Sequence, residues 1–170
     1  MSEITLGIIG GGQLGSMLAI SAKKLNIKTV IYCDDPHAPA QNFCDKFISG
    51  GYNDKEKIIE FKPEIVIHLA SYLSASDQFV DILKLIDANL LFLSKLLNAV
   101  SEIHLDLFIN TGSFSEYRNG DEELIPAYFY AATKTASRSI VDYYSNNYGF
   151  KQTTIIPYTI YGGNDSQKKL

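Results

Sequence analysis

The sequence predicts a three-layer α/β fold, in which helices cover both faces of one doubly wound parallel sheet. Two observations lead to this fold class. Short apolar runs, rich in β-branched residues, alternate with helical patterns along the whole chain. A glycine-rich turn follows the first run, as in β-α-β units whose parallel strands are buried on both sides. Because the chain has 170 residues, of which 46% are apolar, we expect a single domain.

Six apolar runs are the predicted strands, and they set the order of the sheet. They are residues 4–9, 28–33, 46–49, 64–70, 105–110 and 152–158. Helical periodicity predicts helices over residues 13–25, 54–61, 76–100 and 127–148. Because crossovers between parallel strands are right-handed, these elements favour the order 3-2-1-4-5-6. A ligand crevice is then expected beyond the carboxyl ends of strands one and four.

Charge and composition argue against several classes of partner. The net charge is −4 and lysine and arginine do not cluster, so neither nucleic acid nor an anionic membrane is expected. The longest apolar stretch, residues 79–100, contains four charged residues, so we predict a partly buried helix rather than a membrane span. The N-terminus has no secretory pattern and the chain has only Cys33 and Cys44, so the cytoplasm is the expected compartment. No metal site is predicted, because the histidines lie on different elements: His37, His68 and His104.

The first predicted turn carries a phosphate-binding pattern. In "GIIGGGQLGSM", Gly10, Gly12 and Gly15 form G-x-G-x-x-G between a strand and a helix. Glycine permits a tight turn and lets the backbone approach a pyrophosphate, whose charge the helix start attracts. Asp34 follows the second strand, where a carboxylate can bind both hydroxyls of an adenine ribose and repel a 2′-phosphate, which favours NAD over NADP. Alternatively, the glycines serve only close packing and Asp34 caps a loop.

Residues after strand four and on the next helix complete the predicted cofactor site. The run "KPEIVIHLASY" ends in Leu69, Ala70 and Ser71, whose small members leave room for a cofactor, although tight packing explains them equally well. Asn89 lies among apolar neighbours and must find hydrogen-bond partners. It either braces the backbone of the site or is an ordinary core asparagine. The other predicted cofactor contacts are Gln13, Leu14 and Pro157.

A tyrosine and a lysine on the last predicted helix are candidate catalytic residues. Tyr130 and Lys134 are four residues apart, so they share a helix face, and the fifth strand sets Thr111 and Ser113 at the carboxyl edge of the sheet. A nearby ammonium lowers the pKa of a phenol from its usual value of about 10, so Tyr130 is expected to act as general acid or base. Thr111 would bind the same substrate oxygen, while a nicotinamide exchanges a hydride with the carbon.

Residues 62–163 resemble the extended short-chain dehydrogenase/reductases, the NAD-dependent epimerases and dehydratases of nucleotide sugars. The resemblance rests on "KPEIVIHLAS", "ANLLFLSKLLNA", "FINTGSFSEY", "YFYAATK" and "PYTIYGG". It implies a Rossmann-like fold, a nucleotide-sugar substrate and a homodimer formed through the two longest predicted helices. It also implies Thr111, Tyr130 and Lys134 as the catalytic trio, with Ser113 as the substitute for Thr111. Lys134 would in addition hold the nicotinamide ribose.

Residues 1–61 instead resemble the N-terminal domain of the ATP-grasp purine enzyme carboxyaminoimidazole ribonucleotide synthase. The stretch "LGIIGGGQLGSMLAISAKKLNIKTVIYCDDPHAPAQNFCDKFISGGYND" carries this likeness. Ile9 stands where the dehydrogenase family has the first glycine of its G-x-x-G-x-x-G pattern. Two further interpretations follow from this. The chain is a chimera that folds without enzymatic activity, or its glycine turn binds a ribonucleotide or another phosphate ligand.

The far end of the chain also departs from the dehydrogenase family. That family continues after "YGG" into a lobe that binds the nucleotide sugar, whereas this chain ends at Leu170, so we expect the substrate lobe to be absent. Ile156 stands where the family usually carries an arginine. The resemblance thus implies one nucleotide-binding domain over residues 1–170, glycine-rich at 1–61 and dehydrogenase-like at 62–170.

Overall fold

One six-stranded parallel sheet organises the protein. The computed structural model describes residues 4–51, 53–120, 122–158 and 160. Its strands run in the order β3-β2-β1-β4-β5-β6, and every neighbouring pair is parallel, so the predicted fold class and strand order are confirmed. The strands are β1 (Thr5–Ile9), β2 (Lys28–Cys33), β3 (Lys46–Ser49), β4 (Ile65–His68), β5 (Leu107–Thr111) and β6 (Lys151–Ile155).

Helices connect the strands and cover the sheet. They are α1 (Gln13–Lys24), α2 (Lys55–Phe61), α3 (Phe79–Ile86), α4 (Phe92–Val100) and α5 (Phe129–Tyr148). Short 3₁₀ turns at Pro39–Asn42 and Phe114–Glu116 were not predicted from the sequence. Among the described helices, none is long and apolar enough to cross a lipid bilayer.

Alternation along the central strands produces two cores, one on each face of the sheet. Ile8 and Ile67 point to a small cluster with Ala19 of α1, whereas their chain neighbours Ile9 and Val66 point to the opposite face. On that opposite face they join a larger cluster to which α4 contributes most of its buried side chains. The strands are buried on both sides because helices pack against both of these clusters, which explains why their sequences are apolar runs.

The predicted helix over residues 76–100 begins later than expected and changes form in the middle. It starts at Phe79, passes through a π-helical turn at Asp87–Leu91 and continues as α4. Such turns insert one extra residue into an α-helix and are frequent at functional sites. Here the wide turn carries Asn89, which is 3% exposed and points away from solvent.

Strand β4 is shorter than predicted, and its pairing with β1 ends before Leu69 and Ala70. The backbone N–H groups of Leu69 and Ala70 both donate to the carbonyl oxygen of Ile9, each at 2.9 Å. Regular parallel pairing therefore stops at His68, because two successive donors share one acceptor. Leu69 and Ala70 lie beyond the strand, next to the turn that follows β1.

Candidate active site

The turn between β1 and α1 is packed so closely that several of its positions fit only glycine. Gly10 has a φ of +113°, and a Cβ atom on Gly15 would lie 2.3 Å from the carbonyl oxygen of Gly10. Gly12 differs, because a Cβ atom there would have nothing within 4 Å. Helix α1 begins directly after Gly12, with no side-chain cap and no acidic residue in its first turn. Its first N–H groups are therefore available to an anionic ligand.

A cavity of about 500 Å³, here called the turn cavity, lies over this glycine turn. Its other walls come from the end of β2, the segment after β4 and the π-helical turn. Eight of the predicted cofactor contacts line it: Gly10, Gly12, Gln13, Leu14, Gly15, Asp34, Leu69 and Ala70. Asp34 is exposed at the end of β2, so its carboxylate can reach a ligand in this cavity.

A second cavity of about 330 Å³, here called the tyrosine cavity, lies between β5 and α5. Thr111, Tyr130 and Lys134 line it together, so the structure brings the predicted trio to one place, and Pro157 lies on its wall. The two cavities adjoin, since they share three lining residues: Leu14, Leu69 and Ser71. Most of the other lining is aliphatic, so the polar groups of the trio converge in a largely apolar space.

Tyr130 and Lys134 lie one helical turn apart at the start of α5, and both are buried. Tyr130 is 9% exposed and Lys134 is 3% exposed. Burial lowers the pKa of the Lys134 ammonium to about 8, and Glu116 opposes this shift by its negative charge. Burial also raises the pKa of the Tyr130 phenol, while a hydrogen bond with the Ser71 side chain opposes that rise. The expected lowering of the Tyr130 pKa is therefore wrong for this state, because desolvation, together with the nearby Tyr128 and Glu116, outweighs the hydrogen bond with Ser71.

Thr111 and Ser113 take different positions at the end of β5. Thr111 is the last residue of the strand, and its hydroxyl donates to the carbonyl oxygen of His68 at 2.6 Å. That bond leaves the lone pairs of the threonine oxygen free to accept from a substrate. The Ser113 hydroxyl lies 2.8 Å from that of Ser115 and is not part of the tyrosine-cavity wall. The structure therefore favours Thr111 over its predicted substitute.

Asn89 acts on the backbone of the site rather than lining a cavity. Its side-chain oxygen accepts from Tyr72 N at 2.8 Å, and its side-chain nitrogen donates to Tyr72 O at 3.0 Å. The same nitrogen donates to Thr133 Oγ1 at 3.0 Å. Ala88 and Phe92, from the same helical segment, line the turn cavity. Of the two interpretations made from the sequence, this geometry supports the first, in which Asn89 braces the backbone of the site.

The remaining conspicuous side chains have structural roles. His68 is 2% exposed and its ring lies 5.8 Å from that of Phe92, so it is a core residue of β4. Cys33 and Cys44 are unpaired. Among the described residues, no three His, Cys, Asp or Glu side chains are grouped so that they could hold a metal ion.

Sequence reasoning missed one buried residue of the site. Glu116 is 0% exposed and accepts hydrogen bonds from Ser113 N at 2.7 Å and from Arg138 Nε at 2.9 Å. The signal was present as S-x-x-E in "SFSE", a pattern typical of a capping box, which the structure contains at Ser113. The turn at residues 161–163, which carries part of the sequence resemblance, lies outside the described residues.

Solved structures of sugar-nucleotide enzymes share this fold. UDP-glucose 4-epimerase from Brucella ovis in complex with NAD superimposes with a TM-score of 0.80 at 22% identity, covering 90% of this chain and 51% of that chain. UDP-glucuronic acid 4-epimerase from Bacillus cereus, in complex with UDP-glucuronic acid and NAD, gives 0.77 at 21% identity and covers 94% and 58%. This chain thus spans about half of each of these structures.

Curated proteins match a shorter part of the sequence. N5-carboxyaminoimidazole ribonucleotide synthase from Staphylococcus haemolyticus is 37% identical over 73 residues, which are 42% of this chain and 20% of that protein. Phosphoribosylaminoimidazole carboxylase from Ogataea methanolica is 48% identical over 62 residues, which are 35% and 11%. The resemblance to a purine enzyme inferred from the sequence is confirmed.

One family description covers nearly the whole chain. The sequence pattern of the NAD dependent epimerase/dehydratase family matches residues 7–170. The match includes the glycine-rich first part, which was interpreted above as a departure from that family. The resemblance to the NAD-dependent epimerases and dehydratases inferred from the sequence is therefore confirmed as well. The chain belongs to the NAD dependent epimerase/dehydratase family.

Proposed function

We propose that this chain is the NAD-binding and proton-transferring part of a nucleotide-sugar epimerase, dehydratase or reductase. One observation carries the proposal: the turn cavity and the tyrosine cavity adjoin, so a dinucleotide in the first would reach the trio in the second. The family to which the chain belongs is named for NAD. The combination of an anion-binding turn and a proton-transfer group is what such a reaction requires.

The residues of the turn cavity fit an adenine dinucleotide. Gly12 leaves open space where any other residue would place a side chain, so a pyrophosphate can approach the backbone. The uncapped start of α1 offers N–H donors to its charge. Asp34 would accept from both ribose hydroxyls and would repel a 2′-phosphate, which favours NAD over NADP. NAD supplies, when bound, a reversible acceptor for a hydride.

Tyr130 is the proposed proton-transfer residue. Its phenol lies in the wall of the tyrosine cavity, and it is neutral at pH 7 because the ordinary pKa of tyrosine is about 10 and burial raises it further. A neutral phenol can donate its proton to a carbonyl oxygen, and it accepts a proton from a hydroxyl when a nearby cation stabilises the phenolate. Lys134 would supply that cation, one helical turn away.

Lys134 and Thr111 would prepare the substrate for this transfer. The pKa of Lys134 is about 8, so most of the ammonium remains charged at pH 7 despite its burial. It would also hold the nicotinamide ribose, as the family resemblance implies. Thr111 would accept a hydrogen bond from the substrate hydroxyl that exchanges the proton, because its own proton is donated to His68 and its hydroxyl lies on the same wall. We infer a nucleotide sugar as the substrate from the family and from the enzymes that share the fold.

A homodimer is the proposed assembly. Helix α3 and the π-helical turn expose a row of large apolar side chains: Phe79, Val80, Leu83, Ile86 and Leu91. Phe79 is the most exposed of them at 76%, and a contiguous exposed apolar patch is typical of a protein–protein contact. A second copy of the chain would cover this row if its own α3 and α5 packed against it.

The cytoplasm remains the proposed compartment, because Cys33 and Cys44 are not joined by a disulfide.

A second candidate function comes from the purine-enzyme relatives. Their identity of 37% and 48% to parts of this chain favours a glycine turn that binds a phosphate or ribonucleotide ligand. In that case Tyr130 and Lys134 would have no role in ligand binding. A chimera without activity is the third interpretation, and it predicts a folded protein that binds neither ligand.

Calorimetric titration of the full chain tests these candidates. We expect saturable binding of NAD, weaker binding of NADP and no binding of aminoimidazole ribonucleotide. Asp34→Asn keeps the side-chain size and removes the charge, so it should lower the preference for NAD over NADP about tenfold. Asp35→Asn is the matched control, since it removes the same charge one residue further on, outside the turn-cavity wall. A folded protein that binds only the ribonucleotide, or neither ligand, would exclude the dehydrogenase proposal.

A further inference from the structure

A buried carboxylate beside the tyrosine cavity joins the turn after β5 to helix α5. Glu116 belongs to the turn that follows β5, and no part of it is exposed to solvent. Its two oxygens serve different elements. Oε1 accepts from the backbone N–H of Ser113 at 2.7 Å, on the β5 side. Oε2 accepts from Thr135 Oγ1 at 3.2 Å and from Arg138 Nε at 2.9 Å, on the α5 side.

These contacts are close in sequence to residues that line the tyrosine cavity, both on α5 and after β5. On α5, Thr135 follows Lys134 directly and Arg138 lies one turn beyond it. On the β5 side, Gly112 lines the cavity, and a Cβ atom there would lie 2.5 Å from Glu116 Oε1. The turn is therefore closed tightly over the carboxylate. A change in the length of the side chain at position 116 would shift one wall relative to the other.

We infer that Glu116 is a positioning residue of the proposed active site, which ties the turn after β5 to the helix that carries Tyr130 and Lys134. The inference rests on the proposed function, because it takes the tyrosine cavity to be an active site. A carboxylate suits the role because it only accepts hydrogen bonds, and three donors converge on it. A glutamine would turn its amide group toward one of them.

The charge of Glu116 has a second consequence for the lysine. The titratable groups around the site are Glu116 from the turn, His68 from β4, Tyr128 just before α5, and Tyr130 and Arg138 from α5 itself. Among them, Glu116 favours the charged form of Lys134 and so opposes the effect of burial. Arg138 balances the carboxylate through a direct ion pair. Glu116 therefore also helps to keep the buried Lys134 ammonium protonated at neutral pH.

Two NMR measurements on the full chain without NAD test the inference. The first is amide hydrogen exchange at Ser113, and the second is the titration of the Lys134 side chain, assigned with Lys134→Arg. In Glu116→Gln we expect Ser113 to exchange about tenfold faster, since a hydrogen bond to a charged acceptor is lost. We also expect the pKa of Lys134 to fall by about half a unit or more. Glu123→Gln is the matched control, because it removes an exposed charge from the same loop.

The outcomes separate positioning from simple stabilisation. Faster exchange at Ser113 with an unchanged Lys134 titration would make Glu116 a structural cap and overturn the inference, as would no change in either. If Glu116→Gln does not fold, Glu116→Asp replaces it with Glu123→Asp as control. The shorter side chain keeps the charge but cannot reach both Ser113 N and Arg138 Nε, so Ser113 exchange should rise and the pKa of Lys134 should fall as the carboxylate moves away. A change in only one of these two measurements, or in neither, would overturn the inference. NAD binding is measured separately. If the chain does not bind NAD, the proposed function is excluded, but the Ser113 exchange and the Lys134 titration still test the role of Glu116.

Discussion

Asn89 and Tyr72 are joined by two hydrogen bonds, in which each residue donates one proton to the other. Tyr72 N donates to Asn89 Oδ1 at 2.8 Å, and Asn89 Nδ2 donates to Tyr72 O at 3.0 Å. The pair fixes the segment after β4 to the π-helical turn, and that segment carries Ser71, which lines both cavities. An irregular segment beside the site is thus held by a side chain from a helix, because no neighbouring strand is there to pair with it.

Asn89→Ala should destabilise the protein by about 1–3 kcal/mol, because it leaves backbone groups of Tyr72 without their partner. Urea unfolding measures the loss. Asn98→Ala is the control, because Asn98 is exposed on α4, and it should cost less than about 0.5 kcal/mol. Equal costs for the two variants would mean that the brace contributes no stability.

Gly12→Ala and Gly15→Ala should separate binding from folding. A methyl group on Gly12 meets nothing within 4 Å, so thermal stability should stay unchanged while NAD affinity falls about tenfold or more. A methyl group on Gly15 would meet the Gly10 carbonyl oxygen at 2.3 Å, so that variant should lose stability. Thermal melts and calorimetry on both variants provide the comparison. If Gly12→Ala binds NAD as the parent does, the pyrophosphate does not lie where we place it.

Lys134→Met should stabilise the protein at pH 7 while abolishing any catalysis. Burial lowers the pKa of Lys134 from 10.5 to about 8, so below pH 8 folding has to bury a charged ammonium. Removing this cost should add about 1–3 kcal/mol. The advantage of the variant should shrink as the pH rises from about 8 towards 10.5, where the unfolded lysine also becomes neutral. Denaturant unfolding from pH 6.5 to 9 measures this trend, and an advantage independent of pH would contradict it.

His68 should make the protein acid-sensitive. Burial, followed by the charge of Lys134, lowers the pKa of His68 from 6.5 to about 3. The unfolded chain therefore binds a proton that the folded chain rejects between these values, and stability should fall as the pH decreases from about 6.5. His68→Phe, which suits its aromatic neighbours, should flatten the decline. His37→Gln is the control at an exposed position, and an equal flattening there would exclude His68 as the cause.

The apolar row on α3 should control assembly. Sedimentation velocity on the parent chain should show a dimer, and Leu83→Glu should shift it to a monomer, because a carboxylate would be buried in the contact. Leu25→Glu is the matched control, since Leu25 is 70% exposed at the end of α1, away from the row. A parent chain that sediments as a monomer would rule out the proposed dimer.

Most of the fold was predictable because it depends on local periodicity. Six apolar runs that alternate with helical patterns predicted every strand and the order of the sheet, and the glycine turn was placed correctly before α1. The ends were less predictable. Strand β4 stops at His68 because Leu69 and Ala70 share one acceptor across the sheet, and no local pattern contains that bond. The π-helical turn was missed for the same reason, since its inward residue finds its partners 17 and 44 residues away.

By itself, the sequence determined the α/β architecture and the glycine turn and made Thr111, Tyr130 and Lys134 the candidate catalytic residues, because strand and helix patterns and motif spacings are local properties of the chain. Only the tertiary structure decided that these three line one cavity and that this cavity adjoins the turn cavity. It also decided the sign of the Tyr130 pKa shift, because desolvation depends on how much protein surrounds a group. The hydrogen bonds of Glu116 were also decided only by the tertiary structure, because their donors come from the turn after β5 and from α5, which meet only in the folded chain.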